Sequence, residues 1–276
     1  MTTEAINLSN WRLHPQNQWS FINVDKILPT ATIDASTTPS TLPSSPMSWS
    51  NFQLKWKDGK ILTLDDYIQA SQTDSLIILH QGKILYENYF NNNTPSSKHI
   101  LMSMSKSITS LLIGILQGQG KLSVSDLLTK HIPEMSSTIF ANKTIQQCLD
   151  MRTSFNYNDN SPEYRESMGW NPPSSNTSQT LKSFLTNFSP DSTFSESKFE
   201  YCSVNTDLLG WVLERASGMK LSSLLQKYLW EPLGCESPAL ITLDRPEGLG
   251  RAAGGICATL RDTARIAQML LNDGKK

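Results

Sequence analysis

Apolar positions follow a helical period in the stretch after Ser103. Hydrophobic side chains fall there at i, i+3, i+4 and i+7, the stripe of a helix that packs one face into a core. These positions are Ile108, Leu111, Leu112 and Ile115. The pattern therefore predicts a helix that begins near Ser103 and is buried along one side.

Shorter patterns predict three further elements. Residues 64–70 indicate a short helix, and residues 221–233 indicate an amphipathic helix that stops at Pro232 and Gly234. Two apolar runs separated by a glycine-containing turn, between residues 76 and 90, are typical of a β-hairpin. A hairpin alone leaves an open edge and is marginal in water, so it needs a partner in the fold.

The first 57 residues have no sustained period and contain a Ser/Thr/Pro-rich stretch from 37 to 48. We expect an irregular arm that is docked onto the body by its large aromatic side chains. These are Trp11, Trp19, Phe21, Trp49, Phe52 and Trp56. The sequence therefore predicts an arm over residues 1–57 and a catalytic domain over residues 58–276.

Composition favours a soluble globular protein. The chain has 276 residues, a net charge of −1 and 38% hydrophobic residues, which is enough for the core of one catalytic unit. No basic patch indicates a nucleic-acid partner. The first ten residues lack the pattern of a secretory signal, and no apolar run is long enough to span a bilayer. We expect a cytoplasmic protein without a membrane partner, and the sequence sets no oligomeric state.

The histidines and cysteines indicate neither a metal site nor a disulfide framework. No histidine lies at ligand spacing from another histidine, a cysteine or a carboxylate cluster, so we expect no metal and no cofactor. The cysteines show no paired-motif spacing and are expected to be reduced thiols. The residues concerned are His14, His80, His99, His131, Cys148, Cys202, Cys235 and Cys257.

Candidate chemistry begins with the motif Ser-x-x-Lys, which occurs three times. The copy at Ser195 lies in a polar run that predicts a loop, and the copy at Ser217 straddles Gly218, a predicted helix stop. The copy at Ser103 opens the helix with the apolar stripe. Only there does the pattern fix the relative geometry of serine and lysine.

A helix that begins near Ser103 places Lys106 one turn along on the same face. Burial lowers the pKa of a lysine, and a neutral amine can accept the proton of a serine hydroxyl. The helix N-terminus favours the negative charge that develops on attack and can donate to an oxyanion. The alternative is that Ser103 is a helix cap and Lys106 a solvated lysine.

A second element strengthens the catalytic interpretation. Tyr201 stands at the entrance of a segment that runs through an apolar helix to Gly218. A phenol beside a lysine can move a proton between nucleophile and leaving group. Such a tyrosine can equally be a packed aromatic with a satisfied hydroxyl.

These residues resemble the β-lactamase-like serine hydrolases, a family that includes class C β-lactamases, D-alanyl-D-alanine carboxypeptidases, certain esterases and 6-aminohexanoate-dimer hydrolases. The resemblance runs from about residue 10 to the last residue. It is carried by residues 76–87, 102–107, 148–154, 201–218 and 254–262.

The resemblance implies that Ser103 forms the acyl-enzyme, that Lys106 accepts its proton and that Tyr201 is the catalytic tyrosine. Class C enzymes have asparagine two residues after that tyrosine, whereas this chain has Ser203 there and Asn205 two residues later. This pattern is closer to the branch of 6-aminohexanoate-dimer hydrolases and esterases. We expect Ser203 and Asn205 to bind substrate, the serine with a shorter hydroxyl in place of an amide.

Trp170 lies between the two catalytic segments in a polar, proline-bearing loop. A large aromatic there could line the mouth of the substrate site. It could equally be a half-buried anchor of the loop. Resemblance to the 6-aminohexanoate-dimer hydrolase branch favours the substrate-binding role.

The family's third motif, Lys-Thr-Gly or His-x-Gly on an edge strand, has no counterpart downstream of Tyr201. We therefore expect a C-terminally truncated chain without the strands that complete the sheet and supply the second oxyanion donor. The expected fold class is α+β and β-lactamase/transpeptidase-like. In this fold a mainly helical lobe, between residues 102 and 272, packs on an incomplete antiparallel sheet.

Together these features predict a serine hydrolase that cleaves a small amide or ester through a serine acyl-enzyme. A β-lactamase or D-Ala-D-Ala carboxypeptidase is the alternative within the same chemistry. Because the third motif is missing, an inactive truncated remnant or a ligand-binding module is the alternative of another class.

Overall fold

The computed structural model of the chain describes residues 5–155, 157–174, 179–189 and 198–275. The Ser-x-x-Lys copy that starts at Ser195 lies outside them. The strands of the described part are β1 (Thr30–Ile33), β2 (Gln53–Lys55), β3 (Ile61–Thr63), β4 (Ser75–His80), β5 (Lys83–Tyr89), β6 (His99–Ile100), β7 (Ala239–Thr242) and β8 (Ile256–Ala258).

The α-helices of the same part are α1 (Asn17–Ser20), α2 (Leu64–Ala70), α3 (Met104–Gly118), α4 (Leu128–His131), α5 (Ile145–Leu149), α6 (Pro162–Ser167), α7 (Leu181–Leu185), α8 (Ser203–Ser217), α9 (Leu221–Leu225), α10 (Glu231–Leu233) and α11 (Leu260–Leu271). Short 3₁₀ segments cover Val24–Lys26 and Pro133–Ser137, and a π segment covers Gln226–Trp230.

The strands form three antiparallel sheets. The largest has the order β1-β7-β8-β6, and the others pair β2 with β3 and β4 with β5. Helices pack around these sheets, with α3 against α8 at the centre. The molecule thus has the mixed α+β architecture that the sequence predicts.

The predicted hairpin is confirmed as β4 and β5. Its turn uses Gln81 and Gly82, both with positive φ (49° and 74°), a conformation that glycine adopts without steric cost. Helix α11 packs against β4, and its Arg261 makes two hydrogen bonds to the Glu87 carboxylate of β5, at 2.7 and 2.9 Å. These contacts hold the hairpin to the rest of the fold.

The first 57 residues differ from the irregular arm predicted, because they contain β1, which pairs with β7 in the main sheet. Four residues are too few to show an alternating period, so the sequence gives little sign of this strand. Trp11 is fully buried, and its indole N–H donates to the Trp170 carbonyl at 3.0 Å. The division of the chain after residue 57 stays a prediction.

The predicted helices are present. Thr63 caps α2 through a reciprocal capping box with Asp66. The helix predicted over residues 221–233 is built from α9, the π segment and α10, and ends at Gly234 with φ of 70°. Gly218 ends α8 in the same left-handed conformation.

The helix after Ser103 buries the face that the apolar stripe predicts. Ile108 and Leu112 are buried, and Leu111 and Ile115 are partly buried against the core. Packing of α3 against α8 brings the beginnings of the two helices together. Ser103 immediately precedes α3 and Tyr201 lies two residues before α8, so the helix pair sets the distance between them.

Candidate active site

Ser103 lies on the connection between β6 of the main sheet and helix α3. Strand β6 ends at Ile100, and the Leu101 N–H donates to the Ile256 carbonyl of β8 at 2.8 Å. Met102 then takes a left-handed conformation, with φ of 46°, which is uncommon for a residue other than glycine. The chain turns sharply there and exposes Ser103 as the N-cap of α3.

Lys106 lies one turn into α3 and contacts Ser103 directly. Its Nζ is 3.0 Å from Ser103 Oγ and 2.9 Å from the Ala253 carbonyl oxygen. Burial lowers the pKa of Lys106 from its usual value of 10.5, against a smaller opposing effect of the Tyr201 hydroxyl. The environment therefore favours the neutral amine, the form that can accept a proton.

Tyr201 contacts the same oxygen as Lys106 does. Its hydroxyl lies 2.8 Å from Ser103 Oγ, and Lys106 Nζ lies 5.0 Å from the centre of the Tyr201 ring. The Tyr201 side chain is 50% exposed, so a substrate can reach the hydroxyl. Two residues predicted from the sequence, Lys106 and Tyr201, thus converge on the side-chain oxygen of the third, Ser103.

A buried ion pair fixes the backbone that receives Lys106. Asp207, on α8, accepts the Ala253 N–H at 3.0 Å and the Tyr164 hydroxyl at 2.6 Å, and it pairs with the Arg251 guanidinium. Burial raises the pKa of Tyr164, which keeps that hydroxyl protonated as a donor. Asp207 therefore positions the Ala253 peptide, whose carbonyl holds the Lys106 amine.

Asp207→Asn is expected to lower the free energy of unfolding by about 3 kcal/mol, because the buried Arg251 guanidinium would lose its carboxylate partner. Urea denaturation of the variant beside wild type measures this difference. Asp65→Asn, at an exposed position in the first turn of α2, is the control and should change stability by less than about 0.5 kcal/mol. Equal effects of the two substitutions would contradict the role given to Asp207.

A cavity of about 350 Å³ opens beside the nucleophile, and Ser103, Lys106, Trp170 and Ser203 are among the residues that line it. Trp170 is only 7% exposed and packs edge-on against Trp11, with 5.3 Å between ring centres. It therefore anchors its loop and also forms part of the cavity wall, and its contact with a substrate stays a prediction.

Ser203 and Asn205 occupy different environments. Ser203 lines the cavity and hydrogen-bonds to the Asp159 carboxylate through its backbone N–H at 2.9 Å and its hydroxyl at 2.5 Å. Asn205 is fully buried beneath the site, where its Oδ1 accepts the Thr153 hydroxyl at 2.9 Å. The structure thus brings Ser203 to the cavity and leaves Asn205 in the core.

The sequence reasoning missed several charged residues of the site. The cavity lining also includes Arg12, Asp159, Arg165 and Arg251. They come from three distant segments, around residues 12, 159–165 and 251, and no motif spacing connects these segments. Asp207 does carry a signal, because a carboxylate directly before the apolar run of α8 must be paired when that helix is buried.

All four cysteines are free and buried, which confirms the prediction of unpaired thiols. Cys202 adjoins Tyr201, but burial raises the pKa of its thiol to about 11, so the reactive thiolate is disfavoured. Across residues 5–155, 157–174, 179–189 and 198–275, no three His, Cys, Asp or Glu side chains are grouped to hold a metal ion. The same residues contain no helix with the length and apolar character needed to cross a membrane.

Comparisons with known proteins agree with this geometry. The family model Beta-lactamase matches residues 64–276. The 6-aminohexanoate-dimer hydrolase of Paenarthrobacter ureafaciens is 31% identical over 274 residues, which cover 97% of this chain and 68% of that protein.

Solved structures show the same fold. A solved structure from Bacillus anthracis, provisionally described as a 6-aminohexanoate-dimer hydrolase, superposes with a TM-score of 0.88 at 23% identity. The match covers 100% of this chain and 74% of the B. anthracis chain. FmtA from Staphylococcus aureus superposes with a TM-score of 0.61 at 17% identity, over 86% and 71% of the two chains.

The chain belongs to the Beta-lactamase family and is a serine hydrolase with the β-lactamase/transpeptidase-like fold. The fold class and the enzyme class predicted from the sequence are thereby confirmed. The roles of individual site residues stay predictions.

Proposed function

We propose that this serine hydrolase cleaves a small amide or ester through an acyl-enzyme formed on Ser103. The observation that carries the proposal is the convergence of Lys106 Nζ and the Tyr201 hydroxyl on Ser103 Oγ, at 3.0 and 2.8 Å. A hydroxyl held between a buried amine and a phenol can be deprotonated as it attacks a carbonyl carbon.

In the first half of the reaction, Ser103 Oγ bonds to the substrate carbonyl carbon while its proton passes to Lys106. The backbone N–H of Ser103, which has no acceptor within the described residues, is available to the oxyanion at the positive end of α3. Collapse of the tetrahedral intermediate breaks the bond to the leaving group, Tyr201 gives that group its proton, and the proton held by Lys106 passes to Tyr201.

In the second half, water attacks the acyl carbon and loses its proton to the same base. Collapse then releases the acid and restores the Ser103 hydroxyl. The nucleophile, the base and the acid of this sequence are all side chains of the protein, so the proposed reaction uses no cofactor.

Substrate choice rests on similarity and on the cavity. The P. ureafaciens relative is named for hydrolysis of the 6-aminohexanoate dimer, and we extend the small-amide class to this chain. Trp170 and Ser203 line the cavity and are proposed to contact the substrate. Asn205 is proposed to act indirectly, by fixing Thr153 under the site.

A substrate panel tests the proposed function. The purified chain should hydrolyse p-nitrophenyl acetate and the neutral amide p-nitroacetanilide faster than nitrocefin. Faster turnover of nitrocefin would favour a β-lactamase. Absence of turnover on all three, together with absence of a covalent adduct, would favour a ligand-binding protein and overturn the proposal.

A cytoplasmic location is also proposed, because the four cysteines are all free. Cell fractionation that follows the native protein would test the location. Recovery with secreted or envelope proteins would contradict it.

Tyr201→Phe is expected to reduce kcat/KM for an amide by about 10²-fold, because the variant cannot protonate the leaving group. An ester with p-nitrophenolate as leaving group should be affected less, since that group departs without a proton. Steady-state kinetics on both substrates measure the difference. Tyr228→Phe, distant from the nucleophile on the π segment, is the control. Equal losses on the amide and the ester would contradict this role for Tyr201.

A further inference from the structure

Two guanidinium groups lie at the wall of the cavity beside Ser103 without a carboxylate partner. They belong to Arg12 and Arg165. No ion pair with either one forms within the part of the chain that the structure describes. Arg251, in the same lining, is paired with Asp207 and is therefore neutralised.

Neutral groups hold these two arginines in place. Arg12 Nη2 donates to Asn171 Oδ1 at 2.7 Å, and its guanidinium carbon lies 5.9 Å from the centre of the Trp170 ring. Arg165 donates to the side-chain oxygen of Asn160. Such contacts orient a guanidinium group but do not neutralise its positive charge.

The two charges lie close enough to affect each other. Burial and, to a smaller extent, the nearby charge of Arg165 together lower the pKa of Arg12 to about 10. Arg12 still carries its charge at neutral pH. Two uncompensated cations beside a half-buried cavity are the environment that a bidentate carboxylate stabilises.

The cavity's own acidic group does not fill this role. Asp159 lines the cavity, but its two oxygens accept the backbone N–H and the hydroxyl of Ser203. Its carboxylate is therefore held on the Ser203 side of the wall. An anion supplied by the substrate can therefore pair with Arg12 and Arg165.

The proposed mechanism indicates where the two parts of the substrate, the leaving group and the acyl chain, lie relative to the cavity. Tyr201 gives a proton to the leaving group, and Tyr201 is not among the described residues that line this cavity. The leaving group therefore departs on the exposed Tyr201 side. The acyl chain extends into the cavity toward the arginines.

We propose that Arg12 and Arg165 bind a carboxylate at the far end of the acyl chain, so that the preferred substrates are monoamides or monoesters of dicarboxylic acids. This inference rests on the proposed function, because it assumes an acyl-enzyme on Ser103.

The test compares mono-p-nitrophenyl adipate with its neutral methyl ester. Wild type should prefer the anionic ester by about 10-fold or more in kcat/KM, mainly through KM, since hydrogen bonds to charged groups contribute about 1.5–3 kcal/mol. The preference should shrink as ionic strength rises. Equal kcat/KM values for the two esters would overturn the proposal.

Substitutions of the two arginines test whether they cause the preference for the anionic ester. Arg165→Gln and Arg12→Gln should each reduce the anionic preference roughly 10-fold, and Arg165→Glu should shift preference toward the p-nitrophenyl ester of 6-aminohexanoate. That gain also shows that the variant folds. Arg152→Gln, at an exposed arginine outside the cavity lining, should keep the wild-type preference. A preference that survives in both Arg165 variants would overturn the subsite.

Failure of the proposed function would look different, because neither ester nor p-nitrophenyl acetate would then be hydrolysed. Calorimetric titration of the chain with adipate and with neutral adipamide decides the subsite in that case. Binding of adipate alone, weakened in Arg165→Gln, supports it. Equal affinity for adipate and adipamide, or no binding of adipate, overturns it.

Discussion

Ser103→Ala is expected to abolish covalent labelling by a small fluorophosphonate and to lower p-nitrophenyl ester turnover by about 10⁴-fold or more. The reagent forms its bond with an activated serine oxygen, and Ser103 Oγ is held between Lys106 Nζ and the Tyr201 hydroxyl. Intact-mass spectrometry of wild type should show one adduct, and the variant should show none.

Ser110→Ala is the matched control for this experiment. Ser110 is exposed on the same helix, and its hydroxyl donates to the Ser107 carbonyl at 2.7 Å, away from the amine and the phenol. The control should keep both labelling and turnover. An adduct that persists in Ser103→Ala would place the nucleophile elsewhere, and an unlabelled wild type would argue against an assembled nucleophile.

Lys106→Met is expected to reduce kcat/KM by about 10³-fold, because the methionine keeps an apolar stem and removes the proton acceptor. Lys121→Met, at an exposed position beyond the end of α3, is the matched control and should retain activity. Measurement of both variants with one p-nitrophenyl ester gives the comparison. A Lys106→Met enzyme with normal kcat/KM would exclude lysine as the base.

The pH dependence of kcat/KM is a second test of the role of Lys106 as the base. Only the neutral amine accepts a proton, and burial lowers the pKa of Lys106 below its usual value of 10.5. Activity should therefore rise with pH as the amine forms, and the midpoint of the rise should lie below 10.5. This rising limb should disappear in Lys106→Met. A limb of unchanged position in the variant would assign the titration to another group.

Local features of this fold are readable in the sequence because they depend on neighbours along the chain. Ser103 and Lys106 lie one helical turn apart, so the apolar stripe of α3 already fixes their relative positions. The hairpin of β4 and β5 follows from its two apolar runs and the glycine-containing turn between them for the same reason. Tyr201 was placed beside Ser103 by family resemblance rather than by spacing.

Long-range features were not readable in the same way. Arg12 and Arg165 stand in polar stretches where an arginine usually lies at the surface in solvent, and only the fold brings them to one cavity. Asn205 is the opposite case, a residue predicted to be in the site that the fold places elsewhere. Its position two residues after Ser203 suggested a substrate contact, but its side chain on α8 contacts Thr153. The strand β1 is too short to show a period, and its pairing with β7 depends on residues far along the chain.

The contact between Lys106 and the Ala253 carbonyl joins residues 147 positions apart. A flexible peptide with the same Ser-x-x-Lys sequence would keep an ordinary, protonated lysine, since the burial that lowers the pKa of Lys106 would be absent. The lowered pKa of Lys106 is in this sense a property of tertiary structure. A partly folded chain in which the segment before β8, with Ala253, has not docked would have no hydrolase activity. Catalytic activity would appear only in molecules that have completed that docking.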